Sequence, residues 1–282
     1  MNIWTILEQF ERQIPPENLI ILGGILLLAA WLLKTSLGRT ALNRTRVRRH
    51  AMPVWIIVPV FLIWQLPAML ITILVHPWLP PAETWQRALA NNLIMGFSSV
   101  ITIGAIILLG HRCFARRLKG FGLGCRRLHK DLGAASVNLL VAWPLVLALI
   151  LIVTAIQQGL HGPDYQMQQH QELTFLVQYD NASLRWSIVI LAVILAPIVE
   201  ELVFRGILQS SIRSVINLPW LAIALSSTAF AMSHANKEHW PSLFVLGGAM
   251  GYAYEKNGSL WQAIFVHALF NGITIVGYLG SA

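Results

Sequence analysis

Apolar stretches long enough to cross a lipid bilayer recur along the whole chain, and this feature constrains the fold more than any other. Only 11% of the 282 residues are charged and 56% are apolar, whereas ordinary soluble domains have about 25% charged residues. So few charges cannot cover the surface of a water-soluble fold of this size, and so many apolar residues exclude a disordered chain. The sequence therefore predicts an all-α, polytopic membrane protein rather than a soluble enzyme.

A helix needs about 20 apolar residues to cross the hydrocarbon core. Eight apolar spans of suitable character are found at 18–33, 52–75, 88–109, 134–156, 186–208, 218–235, 241–255 and 260–279. We therefore expect about eight transmembrane helices. Several spans contain polar residues, so an intramembrane active site is expected among them.

The segments between the spans alternate in charge. Segments 34–51 and 110–133 are rich in Lys and Arg, whereas 76–87 and 157–185 are not. Cytoplasmic loops are enriched in Lys and Arg, so this alternation predicts that the two basic loops are cytoplasmic and that both termini lie outside. We expect the long outer segment 157–185 to form a cap or a surface helix.

The net charge of +8 is explained by these two basic loops. No nucleic-acid partner is therefore expected, and the lipid bilayer, with its anionic head groups, is the expected partner of the basic residues. The sequence predicts a multi-pass integral membrane protein, and the predicted location is a bacterial plasma membrane.

Two adjacent carboxylates and an arginine interrupt the span 186–208. A charge at membrane depth costs several kcal/mol unless it is paired or faces water. Glu201 and Arg205 are four residues apart and can pair on one helix face, while Glu200 lies about 100° around the helix. We expect the pair to be structural and Glu200 to be free to hold a water. The alternative is a helix-stabilising salt bridge alone, which leaves Glu200 unexplained.

Polar residues also occur in the sixth and eighth spans. Phe230 and His234 end the sixth span, and His267 and Asn271, four residues apart, share a face of the eighth. A turn expected at 217–219 is midway between Glu200 and His234, so antiparallel helices bring them to one height. A rise of 1.5 Å per residue puts His267 about 15 Å above the inner turn, close to that height. The alternative is interhelical hydrogen bonding that serves packing only.

These side chains permit peptide hydrolysis. Glu200 could act as a general base on a water, while His267 and Asn271 donate to the developing oxyanion. His234 could share the water or protonate the leaving amine. Glu200, His234 and His267 could instead hold a zinc ion with one open position, with Glu201 as the base. The residues leave both mechanisms open.

The order and spacing of these residues resemble a known family. The motifs Glu200-Glu201-x-x-x-Arg205, Phe230-x-x-x-His234 and His267-x-x-x-Asn271, with Gly258-Ser-Leu-Trp261 before the last, are similar to those of the CPBP intramembrane proteases. This family includes the type II CAAX prenyl endopeptidases (the Rce1-like group) and bacterial relatives similar to lysostaphin-resistance and bacteriocin-immunity proteins. The resemblance implies a catalytic domain over 130–282, preceded by transmembrane helices with two basic cytoplasmic loops over 1–129.

The resemblance also implies an activity and a role for each site residue. The activity is endopeptidase cleavage of a membrane-tethered peptide or protein, for instance one with a prenylated CAAX-type C-terminus. Glu200 would be the water-activating base, His234 its partner, and His267 with Asn271 the oxyanion side. Glu201 and Arg205 would be supporting residues. The family is described as metal-dependent and also as metal-free, so a zinc cofactor stays open.

Two other functions are compatible with the same residues. An ion-coupled transporter could relay protons through Glu200 and His234. An immunity or scaffold protein without catalytic activity could use the polar cluster only to stabilise helix packing.

Overall fold

The computed structural model describes residues 16–48, 50–168 and 170–281, and within these ranges it contains ten helices and no β-strand. The helices are α1 (Pro16–Lys34), α2 (Ile57–Val75), α3 (Trp85–Cys113), α4 (Arg117–Phe121), α5 (Leu128–His161), α6 (Gln171–Gln178), α7 (Ala182–Val215), α8 (Pro219–Met232), α9 (Trp240–Asn257) and α10 (Leu260–Ser281). The all-α fold class is thereby confirmed, and the surface helix expected within 157–185 is α6.

Each of the eight predicted spans overlaps a helix, but the helices differ in their ability to cross a membrane. Among the described residues, five helical stretches are long and apolar enough, namely Val54–Trp78, Trp85–Cys113, Cys125–His161, Ala182–Val215 and Leu260–Gly280. Asn18–Lys34 and Pro219–Met232 are apolar but shorter. The structure therefore shows a multi-pass membrane protein, while eight complete crossings stay a prediction. The predicted position of the N-terminus concerns residues 1–15, which lie outside the described residues.

Large apolar side chains cover much of the outer surface of the bundle. On α2, for example, Val58, Ile73 and Leu74 are each more than 60% exposed. An apolar surface this extensive would be an aggregation hazard in water, whereas a bilayer solvates it. Backbone groups in such a setting must be satisfied internally, which is why the spanning elements are helices.

Helix α7 occupies the centre of the bundle. All residues from Glu201 to Ser211 are buried, and Phe204 packs edge-to-face against Phe230 of α8 and Trp64 of α2. This central position removes every polar group on that part of α7 from lipid, so its charged side chains need partners within the protein.

The two basic loops meet at one end of the bundle. His50 and Phe114 pair as an isolated antiparallel bridge that joins the loop before α2 to the loop after α3. Arg48 donates from Nη2 to the carbonyl of Tyr254, 2.6 Å away, and its guanidinium lies 3.6 Å above the Tyr254 ring. The loops predicted to be cytoplasmic from their charge thus share one face of the molecule.

Helices α8 and α9 approach closely at Gly247, whose spacing from Gly251 is typical of tight helix pairs. A Cβ atom on Gly247 would lie 3.0 Å from Cβ of Ser227 and 3.2 Å from Nη2 of Arg205, whereas one on Gly248 would meet nothing within 4 Å. We expect Gly247→Ala to lower the free energy of unfolding by about 1–3 kcal/mol, because the helices must separate. The neighbouring control Gly248→Ala should leave it unchanged or raise it, since Ala favours a helix. Thermal unfolding of the purified variants in detergent measures both, and equal effects would contradict the close approach.

Candidate active site

The predicted ion pair is present and completely buried. Nη1 of Arg205 lies 2.6 Å from Oε1 of Glu201, and both side chains are 0% exposed. Arg205 also donates from Nη2 to the carbonyl of Gly247 at 3.1 Å, and its guanidinium stacks 4.5 Å from the ring centre of Phe230. The i,i+4 spacing explains the pair, and the contacts from α8 and α9 hold the arginine in one place.

His267 of α10 lies between the two carboxylates of α7. Its Nδ1 is 3.0 Å from Oε1 of Glu201, and its Nε2 is 3.9 Å from Oε2 of Glu200. The first distance is a hydrogen bond and the second is too long for one. Glu201 is therefore more than the structural partner of Arg205, because it also orients the imidazole. Sequence reasoning missed this contact, which depends on how α10 is rotated against α7.

Several polar atoms of this cluster are buried and lack a hydrogen-bond partner among the described residues. They are Oε2 of Glu200, Oε2 of Glu201 and Nε of Arg205. Buried polar groups are hydrogen-bonded in the great majority of cases. These atoms thus mark where a water or a polar substrate group would bind, beside the 3.9 Å gap between Glu200 and His267.

The span 218–235 predicted that His234 lies inside a helix. In the structure it does not. Helix α8 ends at Met232, and His234 follows in the turn. At this helix end two side chains donate to the carbonyl of Phe230, Oγ of Ser233 at 2.7 Å and Nδ1 of His234 at 2.9 Å. These side chains occupy the acceptor at the helix end.

Phe230 lies beside both imidazoles. The ring centre of His234 is 4.9 Å from that of Phe230, and the ring centre of His267 is 5.5 Å from it on an edge-to-face contact. No hydrogen bond or ion pair joins His234 to Glu200 or His267 in the described part of the chain. The structure thus brings His267 to the carboxylates and leaves His234 at the edge of the same aromatic ring.

Asn271 supports the backbone of α7. Residues Leu191–Leu195 form a π-helical turn, the type of turn in which a carbonyl bonds to the N–H five residues later. The partner of the Ala192 carbonyl would be Pro197, which has no N–H. Nδ2 of Asn271 donates to that carbonyl instead, at 2.8 Å. Asn271 was expected to donate to an oxyanion. One of the two hydrogens on its Nδ2 is instead used in this bond to the backbone of α7.

The predicted zinc ligands do not form a metal site here. No group of three or more His, Cys, Asp or Glu side chains in the described ranges is arranged to hold a metal ion. Phe230 packs against both histidines of the set, His234 and His267, and Glu201 already bonds Arg205 and His267. The residues present therefore do not fit the expected arrangement of Glu200, His234 and His267 around one ion.

A strap, residues 162–168, crosses the end of the bundle near His234. Glu238 accepts hydrogen bonds from the hydroxyl of Tyr165 in the strap and from Nε2 of Gln157 on α5. The Glu238 carboxylate raises the pKa of Tyr165, because it accepts the phenolic proton and disfavours a second negative charge. The carbonyl of Gln168 accepts from Nδ2 of Asn236 at 2.8 Å. The strap is thus fixed to the segment that follows His234.

The residues of this site lie in a part of the chain that is similar to known proteins. Residues 182–273 match the family described as type II CAAX prenyl endopeptidase Rce1-like, and this range contains all three motifs, from Glu200 to Asn271. A stretch of 88 residues, 31% of the chain, is 27% identical to a protein of Bacillus subtilis (strain 168) named "Putative membrane peptidase YdiL". The matched stretch spans 36% of that relative's length. No solved structure matches the chain.

The family match covers the helices that supply the buried ion pair, the carboxylate beside it and both motif histidines. The predicted domain boundary at 129/130 lies outside the matched range and stays a prediction. Through residues 182–273 the chain is similar to the Rce1-like family of type II CAAX prenyl endopeptidases.

Proposed function

We propose that this protein is an intramembrane endopeptidase in which Glu200 activates a water for attack on a peptide bond. The observation that supports this most is the position of His267, hydrogen-bonded to Glu201 on one side and 3.9 Å from Glu200 on the other. A carboxylate, an oriented imidazole and unpaired buried oxygens form a polar site within an apolar bundle. The family and the name of the B. subtilis relative point to the same class of reaction.

The hydrogen bond to Glu201 uses one ring nitrogen of His267 and leaves the other for a substrate. A carboxylate only accepts hydrogen bonds, so Nδ1 of His267 carries the hydrogen that it shares with Glu201. When Nε2 is protonated as well, Glu200, Glu201, Arg205 and His267 have no net charge together. In this state Nε2 offers an N–H to a substrate carbonyl oxygen.

The reaction follows from these positions. Glu200 takes a proton from the bound water as the water oxygen bonds to the carbonyl carbon, and Nε2–H of His267 stabilises the oxyanion. Glu200 then returns the proton to the amide nitrogen as the C–N bond breaks. His234, at the far edge of Phe230, suits a contact with the leaving segment better than a share of the water. Asn271 has one amide donor left for the oxyanion side.

The substrate in this proposal is a membrane-tethered peptide or protein. The family description names CAAX prenyl substrates, so prenylated and unprenylated peptides both belong in the test. We further propose a bacterial plasma membrane as the location, with the basic loops in the cytoplasm. The relative in B. subtilis supports a bacterial setting.

Cleavage by the purified protein tests the proposal. We expect hydrolysis of a membrane-anchored fluorogenic peptide in detergent micelles, with the rate unchanged by a chelator, because the residues described do not fit a zinc site. The cleavage rates of prenylated and unprenylated versions of one peptide show whether the enzyme requires the prenyl group. Loss of activity in chelator and recovery with added zinc would contradict the glutamate mechanism, and absence of cleavage for every peptide would contradict the protease assignment.

A further inference from the structure

The end of the bundle that carries the basic loops is closed. The amide of Leu260 donates to the carbonyl of Gly122 at 2.9 Å, and the hydroxyl of Tyr254 donates to the carbonyl of Phe121 at 3.0 Å. Phe121 and Tyr254 are both fully buried. From this end to the ion pair, α7 is buried at every residue from Glu201 to Ser211. The site has no exposed α7 surface on this side through which a peptide could reach it.

The opposite end is recessed because α8 is short. Helix α8 begins near the basic end, where Arg213 bonds both Glu255 of α9 and Asn217 just before α8. It ends after 14 residues, which is about 21 Å of helix, against a hydrocarbon core of about 30 Å. The chain beyond Met232 therefore lies below the level that a full crossing would reach, and His234 lies in this recess.

A polar cleft of about 600 Å³ opens in this recess. Its lining includes Ala235 and Asn236, which directly follow His234, and Gln168 at the end of the strap. Helix α6 forms the other wall with side chains that include the exposed Gln171 and Gln178. A cleft of this size lies within the range of ligand-binding pockets.

The chemistry of the lining indicates its occupant. Gln168, Gln171 and Gln178 each carry a carboxamide, which both donates and accepts hydrogen bonds. An extended peptide offers alternating N–H and C=O groups, and carboxamides match both. Among the described residues, no Asp, Glu, Lys or Arg lines the cleft, and His170 is the one titratable side chain there. The cleft therefore offers no fixed charge that would select a charged segment.

We propose that the substrate reaches the site from the face opposite the basic loops, as an extended polypeptide segment lying in this cleft beside His234. Basic loops face the cytoplasm, so the cleft faces the extracytoplasmic side. The substrate class is then a membrane-tethered polypeptide whose scissile segment has been translocated, rather than the cytoplasmic C-terminal tail of a prenylated protein. This inference rests on the proposed protease function.

Cysteine labelling tests the orientation without any assay of activity. The two native cysteines, Cys113 and Cys125, both lie at the basic end, and Cys125 is exposed. One variant keeps Cys125 alone (Cys113→Ser), and the other carries Gln171→Cys with both native cysteines replaced by serine. In intact spheroplasts, a membrane-impermeant maleimide is expected to label Gln171→Cys and to label Cys125 only after permeabilisation. The reverse pattern would overturn the proposed face.

Labelling followed by a cleavage assay tests the path of the substrate. A bulky maleimide on Gln171→Cys is expected to lower cleavage of a membrane-anchored reporter at least tenfold relative to the same unlabelled variant. The same label on Cys125 should leave the rate unchanged. The proposed path would be overturned if only the label on Cys125 inhibited cleavage. It would also be overturned if reporters with a cytoplasmic scissile segment were cleaved as fast as reporters with an extracytoplasmic one. If no reporter is cleaved by the wild type, the protease function fails and the substrate class with it, while the labelling still decides which face the cleft occupies.

Discussion

Replacing Glu200 by glutamine is expected to lower kcat/KM for peptide cleavage by about 10²–10⁴-fold, the contribution of a general base. Glutamine has nearly the same shape but cannot take a proton from water. The fold should survive, because the Glu200 side chain is 17% exposed and makes no bond to Arg205. Steady-state kinetics with a membrane-anchored peptide measure the loss, and thermal unfolding in detergent verifies that the variant is folded.

The matched control is Glu83→Gln, the same substitution at an exposed position far along the chain. It should cleave at the wild-type rate. A Glu200→Gln variant that cleaves as fast as the wild type would remove Glu200 from the chemistry. Proton flux in liposomes that requires Glu200, without cleavage by the wild type, would favour a transporter. Lower thermal stability as the sole effect would favour a scaffold.

Replacing Arg205 by methionine is expected to lower the free energy of unfolding by about 3–5 kcal/mol, the cost of leaving a buried charge without its partner. The carboxylate of Glu201 is 0% exposed and would keep only His267 as a partner. The double variant Glu201→Gln/Arg205→Met removes both charges and should recover most of the loss. Thermal unfolding of the three proteins in detergent measures the difference.

A surface ion pair provides the comparison. Asp180 and Arg185 lie 2.8 Å apart, but the aspartate side chain is 95% exposed, so Asp180→Asn should change the free energy of unfolding by no more than about 1 kcal/mol. If Arg205→Met were as mild as Asp180→Asn, or if the double variant were less stable than the single one, the buried pair would not have the structural role described.

Local spacing in the sequence was enough to predict part of the site. Glu201 and Arg205 pair because residues four apart share a helix face, and this depends on no other element. The apolar spans locate the helices because the bilayer sets their length. The expected turn at 217–219 appears as the break between Val215 and Pro219.

The contacts that the sequence did not predict depend on packing or on side chains at helix ends. The bond between His267 and Glu201 requires a particular rotation of α10 against α7, which no periodicity specifies. At the early end of α8, the side chains of Ser233 and His234 bond to a backbone carbonyl, and no apolar pattern in the span marks this end. The bond from Asn271 to Ala192 had a signal in Pro197, since a missing N–H inside a span leaves a carbonyl that needs another donor.

The π-helical turns of α7 have a consequence for how such a helix can vary. One wide turn, Leu191–Leu195, precedes the carboxylates and another, Leu202–Gln209, follows them. Each wide turn holds more residues than an α turn. The direction in which Glu200 points around the helix axis therefore differs from the one that a regular α-helix through the neighbouring segments would give it. A helical wheel with 3.6 residues per turn, drawn over the whole of Ala182–Val215, therefore places residues before and after these turns on the wrong faces relative to each other. At these turns a relative could gain or lose one residue by a change between a π turn and an α turn, while the reactive carboxylate still points into the site.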